Sequence, residues 1–179
     1  MEFMLGILRR KKGKKESLVK ENKVDDSPPM LGEAAGYTEK DVNAYREAKL
    51  WLSRGTSIAT NNIDLVEDVK YWAVKDLKAS LIEAKLTNQS SVQDVYDIIQ
   101  IKKELDKKEV IQKPSLMIIL SIDTDVNPKS PSIDAFAKVF RSFIQHEHGV
   151  VSVVFCKDLN LVGGFEFAKS LVRMGVRRS

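Results

Sequence analysis

The chain has 179 residues, of which 43% are hydrophobic and 30% charged, ordinary proportions for one domain with a packed core. Its longest apolar runs, residues 116–120 and 153–156, fall far short of the ~20 residues a membrane-spanning helix needs. Cys156 is the only cysteine, which excludes an intramolecular disulfide and a zinc site built from several thiolates, and fits a reducing compartment.

The net charge of +4 is unevenly spread. Residues 1–23 hold eight basic side chains and three acidic ones, an excess of five, while the remaining 156 hold 21 basic and 22 acidic groups. All the excess positive charge therefore lies in the first segment, which points to a polyanionic partner for that segment and not for the whole surface.

The chain opens on an apolar stretch, Phe3, Met4, Leu5, Ile7 and Leu8, followed directly by Arg9, Arg10, Lys11, Lys12, Gly13, Lys14 and Lys15. A secretory signal would place its positive charge first, so none is expected. Glu2 in place of glycine removes the myristoylation pattern, and no prenylation motif ends the chain. Apolar side chains beside a dense cationic run suit the headgroup boundary of an anionic membrane. Phe3, Leu5, Ile7, Leu8, Arg9, Arg10, Lys11, Lys12, Lys14 and Lys15 are the candidate membrane-binding residues. Two other readings stand beside this one: a solubilising tail, and non-specific RNA binding through the same charges. Residues 16–36, polar and then rich in Pro, Gly and Ala around Ser27-Pro28-Pro29, read as a linker. A disordered tail is expected over 1–37, a compact domain over 38–170 and a short basic tail over 171–179.

From Thr38 the elements follow in order. Val42, Tyr45, Ala48 and Leu52 have helical spacing behind a Thr38 cap, although Tyr45 to Trp51 also suits an edge strand; helix is favoured. Residues 55–62 read as loop or a short strand through 56–60. Leu65, Val66, Val69, Trp72, Ala73 and Leu77 make one apolar stripe, a helix over 64–78 capped by Asn61 or Asn62. Residues 81–86 prolong it or form a short strand. Ser91 and Asp94 begin a helix to residue 105 with Val92, Val95, Tyr96 and Ile99 on one side. After Pro114, residues 115–122 read as a central strand. Residues 133–148 give the clearest helix, capped by Ser132 and ended by Gly149. Residues 150–156 read as a second buried strand and Leu161 to Phe167 as a third, with Gly163 and Gly164 marking a bulge or close packing. The expected fold class is α+β, a small sheet packed with amphipathic helices.

Catalytic chemistry finds little purchase. His146 and His148 point about 200° apart on a helix and do not chelate one metal easily. Asp123 and Asp125 after a strand suit Mg²⁺ beside a phosphate, but they are also common loop residues and no glycine-rich phosphate loop accompanies them. Cys156 has no activating base in sequence and reads as inert core. No nucleophile set assembles. The expectation is a non-enzymatic protein with no catalytic residues, no metal and no cofactor.

Residues 1–15 with the Ser27-Pro28-Pro29 segment resemble the N-terminus of rhabdovirus matrix proteins, which open on an apolar stretch, a Lys/Gly run and a proline-rich segment. Tyr45 to Trp51 followed by Val66 to Trp72, the run from Leu116 to Asp123, and the order of elements over 133–167 are similar in a looser way. The family's Pro-Pro-x-Tyr motif is missing: Pro29 is followed by Met30 and Leu31, with Tyr37 too distant, which puts recruitment of host budding machinery in doubt. The short chain suits the smaller members from plant-infecting viruses. The resemblance implies a viral structural protein at the inner face of the virion envelope, peripheral on host membranes and in host cytoplasm. Its body would self-associate and bind nucleocapsid or nucleoprotein for assembly and budding. It also implies strand over 45–60. The alternative is a small accessory or adaptor protein localised by its basic tail. Nuclear entry stays open, since basic runs also serve as nuclear signals.

Overall fold

The computed structural model describes residues 6–8, 38–107 and 114–175. The first strand, β1 (Gly6–Leu8), falls within the segment expected to be a tail. Helix α1 (Glu39–Ser53) starts at a reciprocal cap: Thr38 Oγ1 accepts from Asp41 N at 3.2 Å, and Asp41 Oδ2 accepts from Thr38 N at 2.9 Å. Residues 45–53 are thus helix, where the family resemblance implies strand. Gly55, at φ +87°, turns the chain into β2 (Ser57–Thr60). Helix α2 (Ile63–Trp72) runs on as a π-helical turn, Ala73–Leu77, and stops where Lys78 adopts φ +58°. The 81–86 ambiguity resolves as strand β3 (Ser80–Leu86). Then come α3 (Val92–Asp106), β4 (Leu116–Ile122), α4 (Pro131–His146) and β5 (Val150–Phe155).

The end of the chain departs from expectation. Residues 161–167 do not form a strand; they hold the end of a short helix, α5 (Leu159–Val162), and the start of a 3-10 turn, Glu166–Ser170. The last strand is β6 (Leu171–Met174), inside the segment expected to be a basic tail. Gly163 and Gly164 sit at the end of α5. A Cβ on Gly163 would lie 2.7 Å from Arg173 Nη2, and one on Gly164 3.1 Å from Pro128 Cγ, so both glycines permit close packing rather than a bulge.

The fold is α+β, six strands in the order β1-β3-β4-β5-β2-β6 with helices on both faces. Strands β2 to β6 are parallel and β1 alone is antiparallel. Parallel pairing requires long crossovers, which the helices supply. Side chains alternate across the sheet. On one face Met117, Ile119, Val151 and Val153 pack with Leu52 of α1 and Val66, Val69 and Trp72 of α2. On the other, Ile118, Leu120, Val150 and Val154 pack with Val95 and Ile98 of α3 and Phe136 and Phe140 of α4. Burial on both faces explains why β4 and β5 read as continuous apolar runs. Phe140 stacks on Phe136 (centroids 5.7 Å apart) and meets Phe167 edge-on at 5.4 Å, joining α4 to the 3-10 turn. Ser152, buried in the middle of β5, is satisfied: its Oγ donates to Ile118 O at 2.9 Å, and its N donates to Ser57 Oγ at 2.9 Å.

Candidate functional site

A parallel sheet has two unlike rims, and its ligand crevice opens at the carboxyl ends of neighbouring strands whose following helices lie on opposite faces. Here those strands are β2 and β5. After β2 the chain turns to α2 on one face; after β5 it turns to α5 and the 3-10 turn on the other. The crevice brings Asn61 and Asn62 beside Cys156, with Asp123 from the neighbouring β4 end and Asp158 within electrostatic reach of the thiol.

Asn62, Asp158 and Cys156 already have structural tasks. Two residues join β2 to α2, and both are asparagine. Asn62 Oδ1 accepts from Asp64 N (3.0 Å) and Leu65 N (3.3 Å), while Asn62 N donates to Thr60 Oγ1 (3.0 Å). A phosphate cradle at this place uses glycines and free backbone donors. The α2 first turn instead spends two of its donors on its own cap. Asp158 Oδ1 accepts from Asn160 N at 3.0 Å, capping α5. Cys156 is fully buried and donates its backbone N–H to Thr60 O at 3.2 Å. Burial pushes its thiol pKa up; the Asp158 backbone amide opposes that, and the Asp158 and Asp123 carboxylates add to it. The thiol is therefore held neutral and is a poor nucleophile.

The adjoining loops are tied together. Asn88 Nδ2 donates to Asp125 O (2.9 Å), and Asn88 Oδ1 accepts from Asn127 N (3.1 Å), joining the β3–α3 loop to the β4–α4 loop. Asp125 is exposed and Asp123 half-buried, and among the described residues no three His, Cys, Asp or Glu side chains converge as metal ligands. His146 and His148 are both exposed, at the other end of α4, with His146 Nδ1 3.2 Å from Ser142 O. Beyond the crevice, between α1 and the ends of β2 and β6, lies an open cleft of about 420 Å³ lined by Lys40, Asn43, Glu47, Asn62, Arg173 and Gly175.

No family model matches the sequence, and no curated protein does. Among solved structures the chain is similar to a Rhizobiales Trip13 (TM-score 0.46, 11% identity, 86% of this chain on 56% of that one). It is similar to the same degree to a chain of the E. coli MS115-1 HORMA:CdnC:Trip13 complex (TM-score 0.46, 13% identity, 86% on 58%). The chain spans little more than half the length of either.

The candidate membrane residues divide. Phe3, Leu5, Arg9, Arg10, Lys11, Lys12, Lys14 and Lys15 lie outside the described residues. Ile7 and Leu8 belong to β1, where Ile7 pairs with Ile82 and Leu8 with Leu81. Their backbone is part of the sheet edge and not of a free lipid-facing segment. Three residues show no periodicity, so nothing in the sequence distinguished this strand from an apolar tail. The pairing also has a direction. Because β1 is antiparallel, Leu8 lies beside the start of β3, at the amino-terminal rim of the parallel strands, and the basic run begins one residue later.

Proposed function

We propose that this chain is a non-enzymatic, peripheral membrane protein held at anionic surfaces by the charge of Arg9–Lys15, with the folded body carried there as a module for protein partners. The observation that carries this reading is the charge distribution: an excess of five positive charges in residues 1–23 against a body of net −1. Six cations in seven residues contribute roughly 5 kcal/mol at an anionic leaflet before ordering costs. The β1–β3 pairing supports an electrostatic contact over deep insertion, since Ile7 and Leu8 have their backbones in the sheet. A matrix role, with self-association and nucleocapsid binding, rests on the resemblance alone, and helix α1 stands where that resemblance implies strand.

Vesicle flotation tests the proposal. The full chain floats with phosphatidylserine-containing vesicles, and the same chain with Arg9, Arg10, Lys11, Lys12, Lys14 and Lys15 changed to Gln does not. Salt weakens the binding steeply. Equal flotation of both proteins, or binding to RNA with none to vesicles, rejects it.

A further inference from the structure

Strand β6 is the last of the sheet and pairs on one side only, with β2. Among the described residues no strand meets its outer edge. Such an edge templates pairing with another chain unless charge, proline or a covering element blunts it. β6 has no proline, and its one charge is Arg173.

The side chains of β6 alternate. Val172 and Met174 pack on the cluster under α1 and α2, and Leu171 packs on the opposite one, so Arg173 also belongs to the opposite face. There its guanidinium lies over the end of α5, in room left by Gly163, where a Cβ would come within 2.7 Å of Nη2. No acid receives it: Arg173 makes no hydrogen bond or ion pair. On the first face the edge is flanked by the 420 Å³ cleft. Lys40, Asn43 and Glu47 form its α1 wall at helical spacing, and Leu50, 52% exposed, continues the stripe. Lys40 has no partner either. Glu47, the acid of the lining, accepts from Trp51 Nε1 at 3.3 Å. Glu39, Asp41 and Asp64 stand at the helix starts without lining the cleft. The region therefore has no general positive field. What it offers is local: two cations without acids of their own, one on either side of an unpaired strand edge.

We infer that the β6 edge and the adjoining stripe of α1 form a docking groove for an extended, acidic peptide segment of a partner protein, which joins the sheet as a further strand. An added strand sends alternate side chains to opposite faces. One carboxylate of such a segment meets Arg173, a neighbouring one meets Lys40, and the backbone bonds to β6. Strand addition draws affinity from main-chain hydrogen bonds and specificity from the alternate side chains. The inference deepens the reading of the body as a module for protein partners and rests on it, not on the contact with a membrane.

The test selects random peptides of roughly eight residues, long enough for an average strand, on the full chain by phage display, and synthesises the most enriched one. It is expected to carry Asp or Glu among β-branched residues. Its binding slows hydrogen exchange at the backbone amides of β6, read by nuclear magnetic resonance. Lys40→Gln with Arg173→Gln lowers its affinity about tenfold or more, and Lys103→Gln with Lys129→Gln, a control of equal charge, leaves it unchanged. Circular dichroism checks that both variants fold. N-methylation of alternate peptide residues, in one of the two possible sets, abolishes binding with every charge kept. A peptide that binds without protecting β6, or that ignores the Lys40 and Arg173 changes, overturns the groove and leaves the body a binding module. No enriched peptide at all overturns both. Protection of β6 that rises with protein concentration, without any peptide, assigns the edge to a second copy and overturns the assignment to a partner. Vesicle flotation is read separately, so failure of the membrane contact is told apart from each of these outcomes.

Discussion

Lys70 shows how competing effects settle a charge at the edge of the core. Burial disfavours its ammonium form, but the 2.9 Å bond from Nζ to Glu83 and the nearby Glu67, at 3.3 Å, outweigh burial and raise its pKa above 10.5. A cation with a raised folded-state pKa adds stability that is fully present below the unfolded value. That stability is lost as pH climbs through the folded one. Glu67 and Glu83 are 39% and 43% exposed, so solvent screens the pair and its worth is at most about 1 kcal/mol. Lys70→Met is therefore expected to destabilise the protein by up to about 1 kcal/mol at neutral pH, with the gap closing above the ordinary lysine range. Urea denaturation of both proteins across that range checks it. A gap that widens with alkalinity contradicts the account. Cys156 is the opposite case at this scale: burial is the largest influence at both groups, but at the thiol it is not outweighed, and the thiol is held neutral.

The caps show what an element owes to a few residues. Ser91 Oγ accepts from Gln93 N at 3.3 Å, and the buried Asp94 accepts from Ser91 N at 3.0 Å, the reciprocal arrangement that begins α3. Ser91→Ala leaves helix donors without an acceptor and is expected to cost about 1 kcal/mol, while Ser91→Asn is nearly neutral. Thermal denaturation compares the two; equal destabilisation shows that the hydroxyl acts through something other than the cap. This start was legible in the sequence because all its information lies within four residues, and the Thr38 and Asn62 caps were legible for the same reason. For α4 the sequence pointed to Ser132, whereas the helix begins at Pro131 after Ser130, a position suited to proline's fixed φ. The edge strands were not legible. β1 spans three residues and β6 four, too short for a period to declare itself, and each exists because a neighbouring strand offers it hydrogen bonds. Leu161 to Phe167 misled in the opposite way. It has strand-like composition, but Val162, Phe165 and Phe167 are buried from helical and 3-10 backbone.

Across the whole molecule, periodicity revealed which residues are buried but not how distant elements align. The parallel order of β2 to β6 depends on contacts between residues 34 to 114 positions apart, such as Ser152 with Ile118 and Ser57 with Leu171. The crevice follows from that order, and summing charges along the chain showed only a body of net −1. The same order predicts how the body comes apart. Strands β4 and β5 send alternate residues to both faces, so neither cluster keeps its shape without the sheet they share. Phe140 is fully buried on one face against Phe136 and Phe167, while Trp72 is buried on the other with Trp51 packed against the same cluster. Phe140→Ala is expected to cost about 3–5 kcal/mol. Because the sheet couples the faces, the midpoints reported by tryptophan fluorescence and by far-ultraviolet circular dichroism fall together, in one transition. A tryptophan midpoint that stays in place while the helix signal splits into two steps would mean that the faces unfold separately. The sheet would then be a shared boundary rather than a common core.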